Sequence, residues 1–268
     1  MTLSDRTGPR EGLRICIVGG CGKMGGWMAR LFERSGHSVS IVDPASGNGL
    51  ALDAAAGCDA VAVSAPISSV GGILAELDGI CGDQLIFDVS SLKSPFAGAL
   101  RDMGGRRRVC SVHPMFGPGE ASIHGRNIIV CDCGSAEAMD MAEDLFGGRG
   151  AIFTRMPVED HDRHMSYVLG LSHAVNIAFF TVLERSGIPF SVFENVASTT
   201  FGKSIDTNRS VALEDPSLYY EIQHLNSGRE DMWREFSDAV DAVRRASLSD
   251  DPSEFRELMD RGRAFFTR

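Results

Sequence analysis

Nowhere does this chain carry the roughly 20 consecutive apolar residues that a membrane helix needs. The longest greasy stretch, residues 168–183, is 16 long and is interrupted by His173 and Asn176, so a buried helix is expected there. No apolar signal core precedes Gly12, and residues 1–12 read as a short, loose tail. Positive charge is scarce as well. Twenty-six Lys and Arg stand against 36 Asp and Glu, a net charge of -10, so the average surface repels phosphate backbones and anionic lipid. Neither nucleic acid nor a membrane is an expected partner. Internal repeats and low-complexity tracts are missing, and 43% hydrophobic with 23% charged residues excludes a fibrous or disordered chain. The seven cysteines are odd in number and several sit in apolar runs, which suits a reducing cytoplasm. Cys131 and Cys133 have no second cysteine or histidine pair at metal spacing, so no metal is expected.

What is present is a change of rhythm along the chain. Short apolar runs at 14–18, 38–42, 60–64, 85–89, 109–112 and 127–131 alternate with helical spacing at 27–35, 69–77 and 95–103. Such alternation predicts right-handed crossovers and a doubly wound, mainly parallel Rossmann-type α/β sheet. The last sheet-like segment is 151–154. From Pro157 onward long helical patterns take over, at roughly 158–187, 190–207, 216–246 and 252–266. We therefore expect a dinucleotide-binding domain over 13–154 and an all-helical substrate and dimerisation domain over 155–268.

Between the first strand and its helix lies G-x-G-x-x-G, as Gly20, Gly22 and Gly25 with Cys21, Lys23 and Met24 between them. These glycines permit a tight turn, close approach of backbone to a pyrophosphate and close helix packing. Asp43 closes the second strand 18 residues further on, where a carboxylate accepts hydrogen bonds from an adenosine ribose. Its charge opposes a 2'-phosphate, so NAD is expected over NADP. Ser64, Ala65 and Pro66 follow the third strand and border the same crevice.

Two further segments, Asp88-Val-Ser-Ser-Leu-Lys-Ser-Pro95 and Ser111-Val-His-Pro-Met-Phe-Gly-Pro118, follow strands and should emerge at the carboxyl edge where a nicotinamide lies. A histidine there, His113, can take the proton of a substrate hydroxyl as hydride leaves the same carbon. The competing reading is a loop histidine that caps local backbone.

With these residues in view, the sequence resembles the prephenate/arogenate dehydrogenase family. The resemblance rests on residues 19–25, 88–93, His113-Pro-Met-Phe-Gly-Pro118, His161-Asp162, Leu171-Ser-His173 and Asp215-Pro-Ser-Leu-Tyr219, and runs through nearly the whole chain after residue 12. It implies oxidative decarboxylation of prephenate to 4-hydroxyphenylpyruvate, or of arogenate to tyrosine, with hydride passing to a nicotinamide. By that resemblance His113 is the catalytic histidine and Ser91 assists it. His173 is a substrate-side histidine, position alone favouring a satisfied core histidine. Arg209 lies nearest the arginine that grips a substrate carboxylate, its alternative being an exposed helix-end arginine.

Two positions depart from the family pattern. Asp215-Pro follows Arg209 at six residues instead of five, and Gly119 occupies the place of an acidic residue, so a gating role does not carry over to Glu120. Neither a chorismate mutase segment nor an ACT domain is expected, so feedback by tyrosine, if present, would be expected to act at the active site. Arg106–Arg108 read as a solvated turn, and His161 and His164 as helix-start hydrogen-bonding groups instead of metal ligands. Val175, Ala178, Phe179, Val182 and Leu183 offer more apolar surface than a small helical domain hides, so a homodimer is expected. The rivals are another two-domain dehydrogenase or imine reductase, and a nucleotide-sensing regulator without chemistry.

Overall fold

The computed structural model describes residues 12–267. The tail expected at 1–12 thus lies outside the described residues except for Gly12, whose amide donates to the Gly36 carbonyl at 3.2 Å.

Strands β1 (Arg14–Val18), β2 (Ser38–Val42), β3 (Ala60–Val63), β4 (Leu85–Asp88), β5 (Val109–Pro114), β6 (Asn127–Asp132) and β7 (Ile152–Pro157) form one seven-stranded sheet in the order β2-β1-β3-β4-β5-β6-β7. Every pairing is parallel except β5 with β6. Both faces of the central strands are covered, which is why they read as unbroken apolar runs: all four residues of β3 and of β4 are buried. Helices α1 (Lys23–Arg34), α2 (Ile67–Ile80), α3 (Ala97–Gly104) and α4 (Ala136–Phe146) provide the cover. Ile15, Ile17, Phe32, Phe87 and Phe146 form the centre of the core beneath α1 and α4. Because β1 leads to β2 on one side and its other neighbour is β3, the strand order reverses beside the glycine loop. In a doubly wound sheet that reversal opens the crevice a ligand occupies.

The compact unit built on this sheet continues past Thr154 to Met165 and takes back Tyr220–Asn226 from later in the chain. The reason lies in α5 (Val158–Met165), which packs on β6 and β7 and buries Val158, His161, Asp162 and Met165. Segment 220–226 is held by polar bonds to the same unit. Glu221 accepts from the Ile67 amide at 2.9 Å and from the Ser68 hydroxyl at 2.5 Å, while the Asn226 amide nitrogen donates to the Asp162 carbonyl at 3.4 Å.

The second unit begins at Ser166 and, apart from 220–226, takes the rest of the chain; among the described residues its regular elements are all helices. The long helix expected at 158–187 widens into a π-helical turn at Ser166–Leu171 before α6 (Ser172–Arg185). The pattern expected at 190–207 divides into α7 (Phe190–Val196) and α8 (Thr199–Ala212), and that at 216–246 into α9 (Pro216–Leu225) and α10 (Arg229–Leu248); α11 (Ser253–Phe266) follows. Helix α6 corrects one expectation. In the single chain it is not buried: Ala174 alone is enclosed, and Val175 and Val182 are 42% and 68% exposed. Helix α6 packs chiefly on α8 and on the π-helical turn, which leave Val175 and Val182 open. By length and composition the continuous stretch Val158–Arg185 could cross a membrane. Its first turns, however, carry Glu159, Asp160 and Arg163 and sink His161 and Asp162 into the sheet unit, as a lipid-spanning segment does not.

Candidate active site

The crevice begins at the glycine loop, where close backbone contact leaves no room for side chains. A Cβ at Gly19 would stand 2.3 Å from the Ser64 carbonyl oxygen, one at Gly25 would stand 2.3 Å from that of Gly19, and one at Gly20 would strike Ile41 at 2.7 Å. Gly19 also has φ +82°, a conformation that favours glycine. Gly22 caps α1 and brings no side chain of its own to the positive end of the helix dipole. Cys21 and Lys23 are exposed at the loop's rim and Met24 is half-buried. Asp43 accepts from the Cys21 amide at 3.0 Å and the Ala45 amide at 2.8 Å, so its carboxylate is fixed against the loop. Each oxygen keeps a further lone pair. Ser64 and Ala65 lie alongside, half-buried, and Pro66 is exposed before α2. This constellation fits a dinucleotide: tight glycines, a helix start capped by glycine and an acid one strand over.

The chemistry-bearing residues occupy the carboxyl ends of β4 and β5, next in the sheet. Asp88 pairs in register with Ser111, and two residues on, His113 points to the same side of β5 as Ser111. Asp88 is fully buried and gathers three donors: Lys93 Nζ at 2.8 Å, the Ser90 amide at 2.9 Å and the Ser111 hydroxyl. Lys93 Nζ donates in addition to the Val112 carbonyl at 2.9 Å, so the ion pair braces the backbone just before His113.

His113 is 4% exposed and its Nδ1 lies 2.9 Å from Nε2 of His161. His161 Nδ1 lies 2.7 Å from Asp162 Oδ1. The Asp162 carboxylate also accepts from the Lys93 and Ser94 amides, both at 2.8 Å, and from the Ser94 hydroxyl. Burial, the neighbouring His161 and the Lys93 ammonium all push the His113 imidazole well below its ordinary range. Burial also lowers His161, although Asp162 opposes it. At Asp162 burial works upward, but the bonds from His161 and Ser94 outweigh it and hold the carboxyl below the usual carboxylate range.

Ser91 is half-buried in the loop after β4, and among the described residues His113 bonds to His161 instead of to it. The loop after His113 is pinned to α1: Trp27 Nε1 donates to the Glu120 carbonyl at 2.8 Å, and its ring meets Phe116 edge-on at 5.2 Å. The Glu120 carboxylate pairs with Arg126 at 3.0 Å.

His173 and Arg209 belong to the helical unit. His173 stacks on Tyr219 with centroids 4.2 Å apart; burial lowers its pKa, and its Nδ1 has no hydrogen-bond partner among the described residues. Arg209 is exposed, pairs with Glu194 at 3.4 Å and covers the Phe190 ring at 5.3 Å. His164 is exposed in the last turn of α5, and its Nδ1 lies 2.8 Å from the Asp160 carbonyl one turn back. Arg106 and Arg107 fasten the turn before β5 through Asp78. A separate open cleft lined by Arg14, Asp59, Asp83 and Arg108 lies at the amino edge of the sheet, the wrong edge for a dinucleotide.

Reading the sequence alone missed His161 and Asp162 as site residues. The signal was there: they fall three and four residues after Val158 and four and three before Met165, on the one stripe of α5 that is buried. Ionisable residues on a buried stripe are rare without a partner or a task.

Comparison with known proteins follows the same outline. Residues 33–155 match the family model described as prephenate dehydrogenase, nucleotide-binding domain, and residues 157–261 that described as prephenate dehydrogenase, dimerization domain. The chain is 26% identical over 212 residues to the T-protein of Enterobacter agglomerans, covering 78% of this chain and 55% of that protein. It is 24% identical over 265 residues to a probable arogenate/prephenate dehydrogenase of Methanocaldococcus jannaschii, covering 92% of this chain and 59% of the other. It therefore spans little more than half the length of these relatives. Among solved structures, prephenate dehydrogenase from A. aeolicus, in complex with hydroxyphenyl propionate and NAD+, superposes with a TM-score of 0.76 at 20% identity, covering 96% of this chain and 98% of that one.

Proposed function

The chain belongs to the prephenate dehydrogenase family, and from that premise we propose that it catalyses NAD-dependent oxidative decarboxylation of prephenate to 4-hydroxyphenylpyruvate in tyrosine biosynthesis. Gly20, Cys21, Gly22, Lys23, Met24 and Gly25 would hold the pyrophosphate, Asp43 the adenosine ribose, and Ser64, Ala65 and Pro66 the adjoining wall. The nicotinamide supplies the hydride acceptor. Asp43 favours NAD because its fixed carboxylate would face a 2'-phosphate.

The observation that carries this reading is a buried imidazole, His113, held by one ring nitrogen at the carboxyl edge of the sheet that also carries the nucleotide loop. Its other nitrogen takes the ring-hydroxyl proton as hydride leaves the same carbon. The new ketone is conjugated through the ring to the carbon bearing the carboxylate. Carbon dioxide departs, its bonding electrons make the ring aromatic, and the proton returns from His113 to the phenol oxygen. No net proton is released, and aromatisation makes the step effectively irreversible. By the family resemblance we assign Ser91 to assistance at the hydroxyl, and His173 and Arg209 to substrate binding. The Arg209–Glu194 pair is exposed on both sides and therefore weak, so a substrate carboxylate gripped bidentately can replace it.

We assign the protein a homodimeric state in the cytoplasm. The apolar face of α6 supports the dimer. Buried thiols such as Cys16 and Cys131, pushed up to about 12 chiefly by burial, are inert packing groups suited to a reducing compartment.

The test is an absorbance assay at the nicotinamide wavelength that crosses prephenate and arogenate with NAD and NADP. Turnover is expected with prephenate and NAD. Turnover with arogenate alone would move the activity to direct tyrosine formation, and tight NADH binding without turnover of either would make the chain a nucleotide sensor.

A further inference from the structure

A neutral imidazole donates from one nitrogen and accepts at the other, so two imidazoles in series must agree on a direction. Here the direction is decided at the far end. Asp162 accepts two backbone amides and the Ser94 hydroxyl, a set of donors that suits only an ionised carboxylate. Having no proton to give, it obliges His161 Nδ1, 2.7 Å away, to be the donor. His161, kept neutral by burial, then presents a bare lone pair at Nε2. Across the 2.9 Å contact, His113 Nδ1 must be the donor in its turn.

We infer that His161, oriented by Asp162, is a positioning residue that locks His113 in its Nδ1–H tautomer, leaving the lone pair of Nε2 as the base for the substrate hydroxyl. This rests on reading His113 as the proton acceptor. An imidazole without such a partner prefers the opposite tautomer, in which Nε2 carries the proton and cannot take another. The arrangement also serves the protonated state. On receiving the hydroxyl proton, His113 keeps its Nδ1–H bond to His161 and holds the new proton on Nε2, ready to return it to the phenol oxygen. The charged groups facing the two rings are Asp88 from β4, Lys93 from the loop after it, and Asp162 from α5. Lys93 opposes extra positive charge on either ring, which favours prompt return of the proton.

Two readouts test the inference. In the full chain labelled with 15N-histidine, a long-range 1H–15N spectrum should show His113 with Nδ1 protonated and Nε2 bare, its signals identified by their loss in His113→Gln. A protonated Nε2, or a rapidly exchanging mixture, would overturn the proposal. Kinetically, His161→Leu should lower kcat by roughly 10²- to 10³-fold with little change in KM, by analogy with mis-set tautomers in catalytic triads. His161→Gln, whose side-chain oxygen can accept where Nε2 did, should recover most of that loss and retain the His113 tautomer. Equal rates for Leu and Gln would reduce His161 to packing and refute the assignment, and the wild-type spectrum decides the matter even where the Leu variant does not fold. A chain with the expected tautomer that oxidises neither prephenate nor arogenate would defeat the functional reading while leaving the tautomer assignment standing.

Discussion

At the scale of single residues, the decisive quantity is the proton affinity of His113. A free imidazole titrates near ~6.5, and a general base must be unprotonated to act. Burial, His161 and Lys93 all depress its value, so the base stays available as the medium turns acid. A profile of kcat/KM against pH should therefore hold flat through ~6.5 and fall only at lower pH. A limb centred at or above that value would mean that His113 is wetter in solution than its 4% exposure implies. Replacing the ring tests the role itself: His113→Asn should reduce kcat by roughly 10² to 10⁴ while NAD affinity, measured by fluorescence titration, stays nearly constant. Unchanged turnover would remove His113 from the chemistry.

At the scale of elements, two short segments do most of the positioning. The glycine loop works through contacts that any side chain would violate. Gly25→Ala places a methyl 2.3 Å from the Gly19 carbonyl, and neither backbone segment can yield without opening the loop. We expect at least a tenfold rise in KM for NAD and a loss of stability of about 1–3 kcal/mol in urea titration; wild-type behaviour would show that the loop adapts. Helix α5 works oppositely, by placing polar groups where apolar ones would normally go. Its buried stripe alternates Val158 and Met165 with His161 and Asp162. The two apolar residues seat the helix on β6 and β7, and the two ionisable ones reach the carboxyl edge. The π-helical turn at Ser166–Leu171 follows at once, a local widening of the kind often found near functional sites.

At the scale of the whole molecule, the helical unit leaves apolar surface that one chain does not cover. Val175 and Val182, seven residues apart, fall on the same face of α6 and are 42% and 68% exposed. Sedimentation velocity should show a dimer at micromolar concentration, and Val175→Asp with Val182→Asp should shift it to monomer. A wild-type monomer would reject the second copy as the cover. The amino-acid order by itself determined the sheet and its nucleotide loop, because strands buried on both faces must be apolar along their length and a pyrophosphate turn demands glycine at fixed spacing. It also marked His113, through a strand end followed by an unusual loop. The break at Val196–Thr199 was not legible, since Ala197 and Ser198 are weak breakers, whereas Asn226-Ser227-Gly228 between Leu225 and Arg229 is a turn signal that the helical spacing on either side outweighed. The assembly of His113, His161, Asp162, Lys93 and Asp88 was not legible either. These residues come from β4, the loop after it, β5 and α5, up to 74 positions apart. A hydrogen bond is short-ranged and directional, so only the packing of α5 against the sheet could decide that the second histidine faces the first.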